Sequence, residues 1–469
     1  MGQGAVRERT AMGYRLVRGV SRLLLGLFYR RLEVAGLERI PPSGPVILAA
    51  NHHNSLVDPM LLLATIPRRL VPVAKAPLFR HPLLAPFLRL AGAIPVHRPQ
   101  DPGSDPARNV EMFRRAVATL GQGGAVLIFP EGLSQPEPIL MPLRTGTARM
   151  LLGAEDAAGG RLGVTLLPVG LVFHEPGAFR TGWALVLVGE PVPIDDCLAL
   201  HRTAQEAAVR RLTDRLAETL RRQIVEVEDR ETLRLLQAVE AIWREAAPDA
   251  AGEPAARAAR MQRVMRAYRH LASEEPARVA GFRRRVERYL RDLELAGLTG
   301  RQLARTYPPG VVGRYALREG LSLLAGLPLA AWGMAYHLVP YRLTRAVVHG
   351  LRPRPDAEAT YKLATAVVVF PLSWLLEGWL LWRLGGGWLV SLFVASLAPT
   401  GFLALTWRER LGRFRREARG FFQFLLNRDL RHRLSARRRA LVDELAALAQ
   451  RVPESVLAGL PEEGRPPAP

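Results

Sequence analysis

The sequence predicts an α/β domain followed by a charged helical region and C-terminal membrane helices. Three observations carry this expectation. Short β-rich runs alternate with helical stretches between residues 40 and 196. From about 202 to 305 the composition turns to Ala, Leu, Arg and Glu at helical spacing, and three apolar segments follow at 321–336, 363–382 and 384–407. Apolar runs of strand length separated by helix-period segments are the pattern of βα units.

Taken in order, residues 13–32 mix Leu, Val, Phe and Tyr with Arg15, Arg18, Arg22, Arg30 and Arg31. That predicts an amphipathic helix with a basic face, suited to a membrane interface or to packing on a core with its arginines in water. The same arginines interrupt the apolar run that a secretory signal requires. Strands are expected at 45–50, 125–129, 164–173 and 184–188, and helices at 58–66, 80–91 and 107–120. Polar residues of interest fall just after several of these strands, where open α/β sheets place their sites. The region 202–305, broken by Pro, Gly and Ala at 248–256, carries no grouping of chemistry, and its charges read as solvated faces.

A helix needs about 20 apolar residues to cross a bilayer, a length that 384–407 and 363–382 reach, the latter despite Glu377. The first apolar segment falls short before His337, Pro340 and Arg342. Arg342, Arg345, Arg352 and Arg354 precede the 363–407 stretch, and Arg408, Arg410, Arg413, Arg415 and Arg416 follow it. Basic flanks prefer the cytoplasmic face, so a hairpin satisfies both. The expectation is a 363–407 hairpin in the cell membrane, an interfacial or re-entrant 321–340, and a disordered tail at 452–469. The divisions are then 1–34, an amphipathic helix; 35–200, the α/β domain on the cytoplasmic side; 201–310, charged helices; 311–420, membrane-associated segments; and 421–469, a basic helix and tail.

The net charge is +22 over 469 residues, and the only lysines are Lys75 and Lys362, so the positive charge is nearly all guanidinium. Such a chain calls for a polyanionic neighbour, either nucleic acid or anionic lipid. No Walker motif, zinc knuckle or aromatic RNA-binding motif is present, and the charge flanks apolar segments, which selects membrane lipid and no nucleic acid. One cysteine, Cys197, excludes an intramolecular disulfide framework and a Cys-based zinc site.

The densest chemical grouping is Asn51-His52-His53-Asn54-Ser55-Leu56-Val57-Asp58-Pro59, directly after the strand PVILAA. Ser55 can cap a helix whose first turn carries Asp58. A loop histidine folded back onto that carboxylate makes a base with its orienter, the pair that takes a proton from an alcohol. The same residue types also serve as ordinary loop and cap residues. Zinc ligation by His52, His53 and Asp58 is a weaker reading, because adjacent histidines point apart and no His-Glu-x-x-His motif exists. Further on come Gly92-Ala93-Ile94-Pro95-Val96-His97-Arg98, Phe129-Pro130-Glu131-Gly132-Leu133-Ser134, Pro142-Leu143-Arg144-Thr145-Gly146 and Leu166-Leu167-Pro168-Val169-Gly170. Arg98 and Arg144 could hold a phosphate by bidentate hydrogen bonds. Gly132 and Gly146 would let the backbone approach a ligand closely.

In this order the segments at 51–58, 92–98, 129–134 and 167–169 resemble the four blocks of the glycerophospholipid acyltransferase family, over residues 35–195. The resemblance implies an acyltransferase-type α/β fold, a histidine general base partnered by Asp58, and an acceptor site for glycerol phosphate that uses Arg98, Glu131, Gly132 and Ser134. Arg144 and Pro168 join them as substrate-binding candidates. It also implies an acyl thioester donor, acyl-CoA or acyl-carrier protein, with no cofactor and no metal. The C-terminal half is similar to the glycerol-3-phosphate/dihydroxyacetone-phosphate acyltransferase branch, through LELAGLTGRQL at 293–303 and the paired apolar segments. The family's Asn-His adjacency selects His52, whereas its commonest His-x4-Asp spacing selects His53. Neither separation lies on one helical face, so the acting histidine sits in the loop. His52 is taken as the base, with His53 as the alternative. Direct transfer is expected, since no Gly-x-Ser-x-Gly elbow is present. The acceptor is left open among glycerol-3-phosphate, 1-acylglycerol-3-phosphate, dihydroxyacetone phosphate and other lysophospholipids, as is the oligomeric state. The alternative of a different class is a non-catalytic basic membrane scaffold.

Overall fold

The computed structural model describes residues 2–457, apart from 83, 99–100, 102–104, 138, 175–176, 181, 225–229, 247–253 and 305–308. Most of the expected break at 248–256 and the end of the expected tail therefore lie outside the described residues. The chain forms two compact units. One comprises Met1–Leu233, Glu253–Gln262 and Arg354–Leu363; the other comprises Arg234–Gly252, Arg263–Pro353 and Ala364–Pro469.

The first unit runs α1 (Gly2–Phe28), β1 (Arg31–Ala35), β2 (Val46–Ala50), α2 (Val57–Thr65), β3 (Leu70–Lys75), α3 (Leu84–Ala91), β4 (Ile94–Val96), α4 (Asn109–Gly121), β5 (Ala125–Ile128), α5 (Gly146–Ala157), β6 (Thr165–His174), β7 (Trp183–Val188), α6 (Asp195–His201) and α7 (Gln205–Gln223). The seven strands form one sheet in the order β1-β7-β6-β2-β5-β3-β4. Only the β6–β7 pairing is antiparallel, so β2 to β6 all finish on one edge. Every residue of β2 is buried, as befits a central parallel strand covered on both faces. Alternate side chains divide between two apolar layers. Ile47 and Ala49 pack with α4, α5 and α7, and Val46, Leu48 and Ala50 pack with α1 and α2.

Some elements differ from the sequence expectation. The N-terminal helix stops at Phe28, and Arg31–Ala35 form an edge strand that turns Leu32 and Val34 toward the core. α1 packs on the core through Tyr14, Val17, Leu25 and Phe28, while Met12, Leu16 and Leu23 stay exposed. Its arginines meet the end of α2: Arg22 Nε donates to Ala64 O at 2.8 Å and Arg18 to Pro67 O at 3.1 Å. Ala64 O belongs to the last turn of α2, the negative end of the helix. The α/β unit also extends past residue 200. α7 presents Val209, Leu212, Leu216 and Leu220, spaced three to four residues apart, to the sheet layer.

The second unit holds most of α8 (Arg230–Ala246) and α9 (Pro254–Glu274), then α10 (Pro276–Ala296), α11 (Gly300–Ala304), α12 (Pro309–Leu351), most of α13 (Glu358–Gly385), α14 (Gly387–Leu426), α15 (Arg428–Gln450) and α16 (Glu454–Leu457). The LELAGLTGRQL stretch is a helix stop: Gly297 adopts φ 64°, and Leu298 N–H closes on Leu293 O at 2.8 Å. The expected interfacial segment 321–340 lies inside one continuous 43-residue helix, α12, which runs through Pro328 and Pro340. Among the described residues, three helices are long and apolar enough to cross a membrane, Val312–Leu351, Glu358–Gly385 and Gly387–Phe424, where the sequence expectation counted two. They mark a membrane protein. α12 and α14 pack along each other. Trp407 Nε1 donates to Leu323 O at 2.8 Å, and a Cβ on Gly333 would run into Thr400 O. Small residues permit such close helix approach within lipid.

Candidate active site

The site begins where β2 ends. Asn51 is fully buried, and its side-chain amide continues the β2–β6 ladder: Nδ2 donates to Leu171 O at 3.0 Å and Oδ1 accepts Leu171 N–H at 2.6 Å. This pins the start of the loop 51–56 to the sheet. At the loop's other end α2 begins at Val57, with Asp58 fully buried in its first turn.

Asp58 Oδ2 collects three donors at 2.8 Å: His52 Nδ1, His53 N–H and Asn54 N–H. A carboxylate oxygen only accepts, so His52 carries its proton on Nδ1, and the Nε2 lone pair is left free on the other side of the ring. The His52 side chain is 18% exposed, and its ring stacks on Phe129 at a centroid distance of 4.2 Å and an angle of 22°. His53 is oriented elsewhere. Its Nδ1 donates to Gln135 O at 3.3 Å, and burial holds its imidazole below the ordinary histidine range, with the nearby Asp58 charge opposing. The two adjacent histidines thus have separate partners, and only His52 has its ring on the carboxylate. Asn54 Nδ2 reaches Tyr29 OH at 2.8 Å, and burial, followed by the Asp58 charge, pushes that phenol upward.

Glu131 is nearly completely buried and joins two loops. Oε1 accepts His52 N–H at 2.8 Å and Oε2 accepts Met141 N–H at 2.9 Å. Ser134 Oγ accepts Ser55 N–H at 3.0 Å, and Gln135 N–H donates to His52 O at 3.1 Å. In this structure Glu131 and Ser134 therefore hold the histidine loop in place. Gly132, at φ 73°, makes the turn that returns the chain after β5.

Arg98 lies just beyond β4. Its guanidinium pairs bidentately with Asp101 and also donates to Gly132 O. The pairing holds the Asp101 carboxyl below its ordinary range. Arg144 is exposed, and its stem passes 3.4 Å from where a Cβ on Gly132 would sit; its backbone N–H anchors to Pro130 O at 2.7 Å. Lys75, the exposed last residue of β3, adds its field at Asp101. Arg98, Arg144 and Lys75 thus supply positive charge on the sheet edge where the histidine loop emerges. Pro168 stands apart: it is buried within β6, in register with Ala49. The sequence reading missed Asp101 and Lys75. Asp101 lies in a Pro/Gly/Ser-rich stretch that reads as loop, although an acid three residues from a candidate phosphate arginine is a usable signal.

Residues 31–172 match the family model described as Acyltransferase. The chain is 23% identical over 310 residues to an uncharacterized acyltransferase of Schizosaccharomyces pombe, covering 48% of this chain and 46% of that protein. It is 31% identical over 136 residues to glycerol-3-phosphate O-acyltransferase 2 of Saccharomyces cerevisiae, covering 29% and 18%. Against 1-acyl-sn-glycerol-3-phosphate acyltransferase alpha of Homo sapiens it is 27% identical over 197 residues, covering 41% and 65%. The chain spans less than two thirds of the length of each of these relatives. Among solved structures, the 1-acyl-sn-glycerophosphate acyltransferase PlsC of Thermotoga maritima aligns at 22% identity with a TM-score of 0.32, covering 43% of this chain and 78% of that one.

Proposed function

We propose that this membrane protein is a glycerolipid O-acyltransferase, a reading supported by the match of residues 31–172 to the family model described as Acyltransferase. It moves a fatty acyl group from acyl-CoA or acyl-carrier protein to a hydroxyl of glycerol-3-phosphate or 1-acylglycerol-3-phosphate, with its catalytic unit on the cytoplasmic side. The observation that supports it most is the His52 Nδ1–Asp58 Oδ2 contact of 2.8 Å, which leaves Nε2 free as a base.

In the proposed reaction Nε2 of His52 takes the proton of the acceptor hydroxyl as its oxygen attacks the thioester carbonyl. The new C–O bond forms, the C–S bond breaks, and the thiolate leaves with the proton that the imidazolium returns. Asp58 stabilises the imidazolium between these steps and fixes the tautomer, as the acid of a catalytic triad does. The exposed guanidinium of Arg144 meets the acceptor phosphate, and Arg98 and Lys75 add positive charge to the same site.

The test is transfer of a labelled acyl group by the detergent-solubilised protein, from acyl-CoA and from acyl-carrier protein, with three acceptors offered separately. The expected product is an ester of glycerol-3-phosphate or of 1-acylglycerol-3-phosphate. Transfer to dihydroxyacetone phosphate alone would move the substrate assignment, and no transfer from either donor would end the reading.

A further inference from the structure

We infer that Asp356 and Thr360 are positioning residues for the His52 loop, and that the segment Arg354–Leu363 is a strap holding the N-terminus of α2. The inference rests on the reading of His52 and Asp58 as the catalytic pair. The first N–H groups of a helix have no partner within it and need one from outside. α2 has no side-chain cap of its own. Leu56 N–H instead donates to Thr360 Oγ1 at 3.1 Å, across 304 positions of sequence.

Ser55, the expected capping residue, is occupied differently. It adopts φ 43°, a left-handed conformation rare for a non-glycine residue; its N–H goes to Ser134, and its hydroxyl approaches Asp356 Oδ2 at 3.4 Å. Such a conformation persists where surrounding contacts over-determine it. Asp356 is itself buried, 5% exposed.

The strap has its own anchors. Ala359, fully buried, and Leu363 join the apolar layer beneath α1 and α2. Lys362 Nζ donates to Gly177 O and to Glu358 Oε1, each at 2.6 Å. These contacts fix the segment independently of the loop it braces. Asp58 follows Leu56 by two residues, so a shift of the helix start displaces the carboxylate that orients His52.

The experiment uses full-length protein in detergent and measures kcat, both KM values and melting for Thr360→Val, Thr360→Ser and Asp356→Asn. Thr360→Val is expected to lower kcat about 10- to 100-fold, the scale of a roughly 1 Å misplacement of a catalytic group. Both KM values are expected to stay near those of the parent, and Thr360→Ser, which keeps the hydroxyl, is expected to recover most of kcat. A folded Thr360→Val enzyme with parental kcat overturns the inference, as does a Thr360→Ser enzyme no faster than Thr360→Val. Should Thr360→Val fail to fold, the pair Ser55→Cys and Asp356→Cys is oxidised in membranes and the linked peptides are sought by mass spectrometry. A disulfide supports the docked strap; its absence overturns it. If the parent protein transfers no acyl group yet the disulfide forms, the functional reading falls and the positioning role falls with it, while the strap geometry stands.

Discussion

Glu131 accepts the main-chain N–H of His52 at 2.8 Å, and its second oxygen accepts Met141 N–H at 2.9 Å. One buried carboxylate thus links the loop that carries the base to the chain that leads to Arg144. The resemblance implied that Glu131 helps bind the acceptor. The contacts instead point to an indirect part, in which it sets where His52 stands.

For Glu131→Gln, one of the two N–H groups faces an amide NH2 in place of an oxygen. An unsatisfied buried donor costs about 1–3 kcal/mol, so the variant is expected to melt earlier and to lose kcat. The acceptor KM is expected to change little. A large rise in acceptor KM with unchanged melting would return Glu131 to the acceptor site.

His52→Ala is expected to lower kcat by roughly 10²–10⁴-fold, the usual contribution of a general base. His53→Ala is expected to keep measurable activity, because its ring meets Gln135 O and its contact with Asp58 runs through the backbone. Steady-state rates of the two variants decide between them, and the reverse order would transfer the role to His53.

Arg144→Ala is expected to raise the acceptor KM about tenfold or more, since a hydrogen bond to a charged group is worth about 1.5–3 kcal/mol. Its donor KM is expected to stay near that of the parent. Arg98→Ala additionally releases Asp101 and Gly132 O, so it is expected to lower the melting temperature as well. Measuring KM beside melting separates the two arginines.

His53 is held below its ordinary pKa of about 6.5, so between that value and its lower folded value the unfolded chain binds a proton that the folded chain refuses. Stability is therefore present above about pH 6.5 and falls as pH drops through that window, by at most roughly 1.4 kcal/mol per pH unit from this residue. Melting at pH 5.5 is expected below that at pH 7.5, and His53→Gln is expected to narrow the gap. An unchanged gap would remove His53 from the acid response.

Residues 1–233, 253–262 and 354–363 fold as one compact unit. The hairpin expected from the sequence makes α13 and α14 one crossing each. A tag on the C-terminal tail is expected on the same side as a tag on the N-terminus, and carbonate is expected to leave the protein in the membrane. Protease protection of one tag but not the other would overturn the two-span arrangement.

The central strands were legible because β2 and β5 are unbroken apolar runs bounded by turn residues. β3 and β4 were not: Pro72 interrupts one, and the other has three residues. The His52–Asp58 pair was readable as a set of residue types, but choosing between the histidines required the loop path, which Asn51, Glu131 and Gln135 determine through contacts about 80 to 120 positions away. Arg98 was recognisable as a cation, whereas its pairing with Asp101 depends on how a proline-rich loop turns. Thr360 carried no local signal at all, because its partner Leu56 lies 304 positions away.

That last separation has a consequence for biosynthesis. The first 233 residues of the α/β unit leave the ribosome long before the strap that completes it. At about 5–20 residues per second, the roughly 130 residues up to Leu363 take on the order of ten seconds to appear. During that interval the nascent α/β unit exposes the apolar surface that Ala359 and Leu363 later cover, and Leu56 N–H waits for Thr360. Maturation of the site is thus timed to the emergence of α13, a helix long and apolar enough to cross a membrane. A chain stalled before residue 354 would hold His52 and Asp58 and still lack the finished loop.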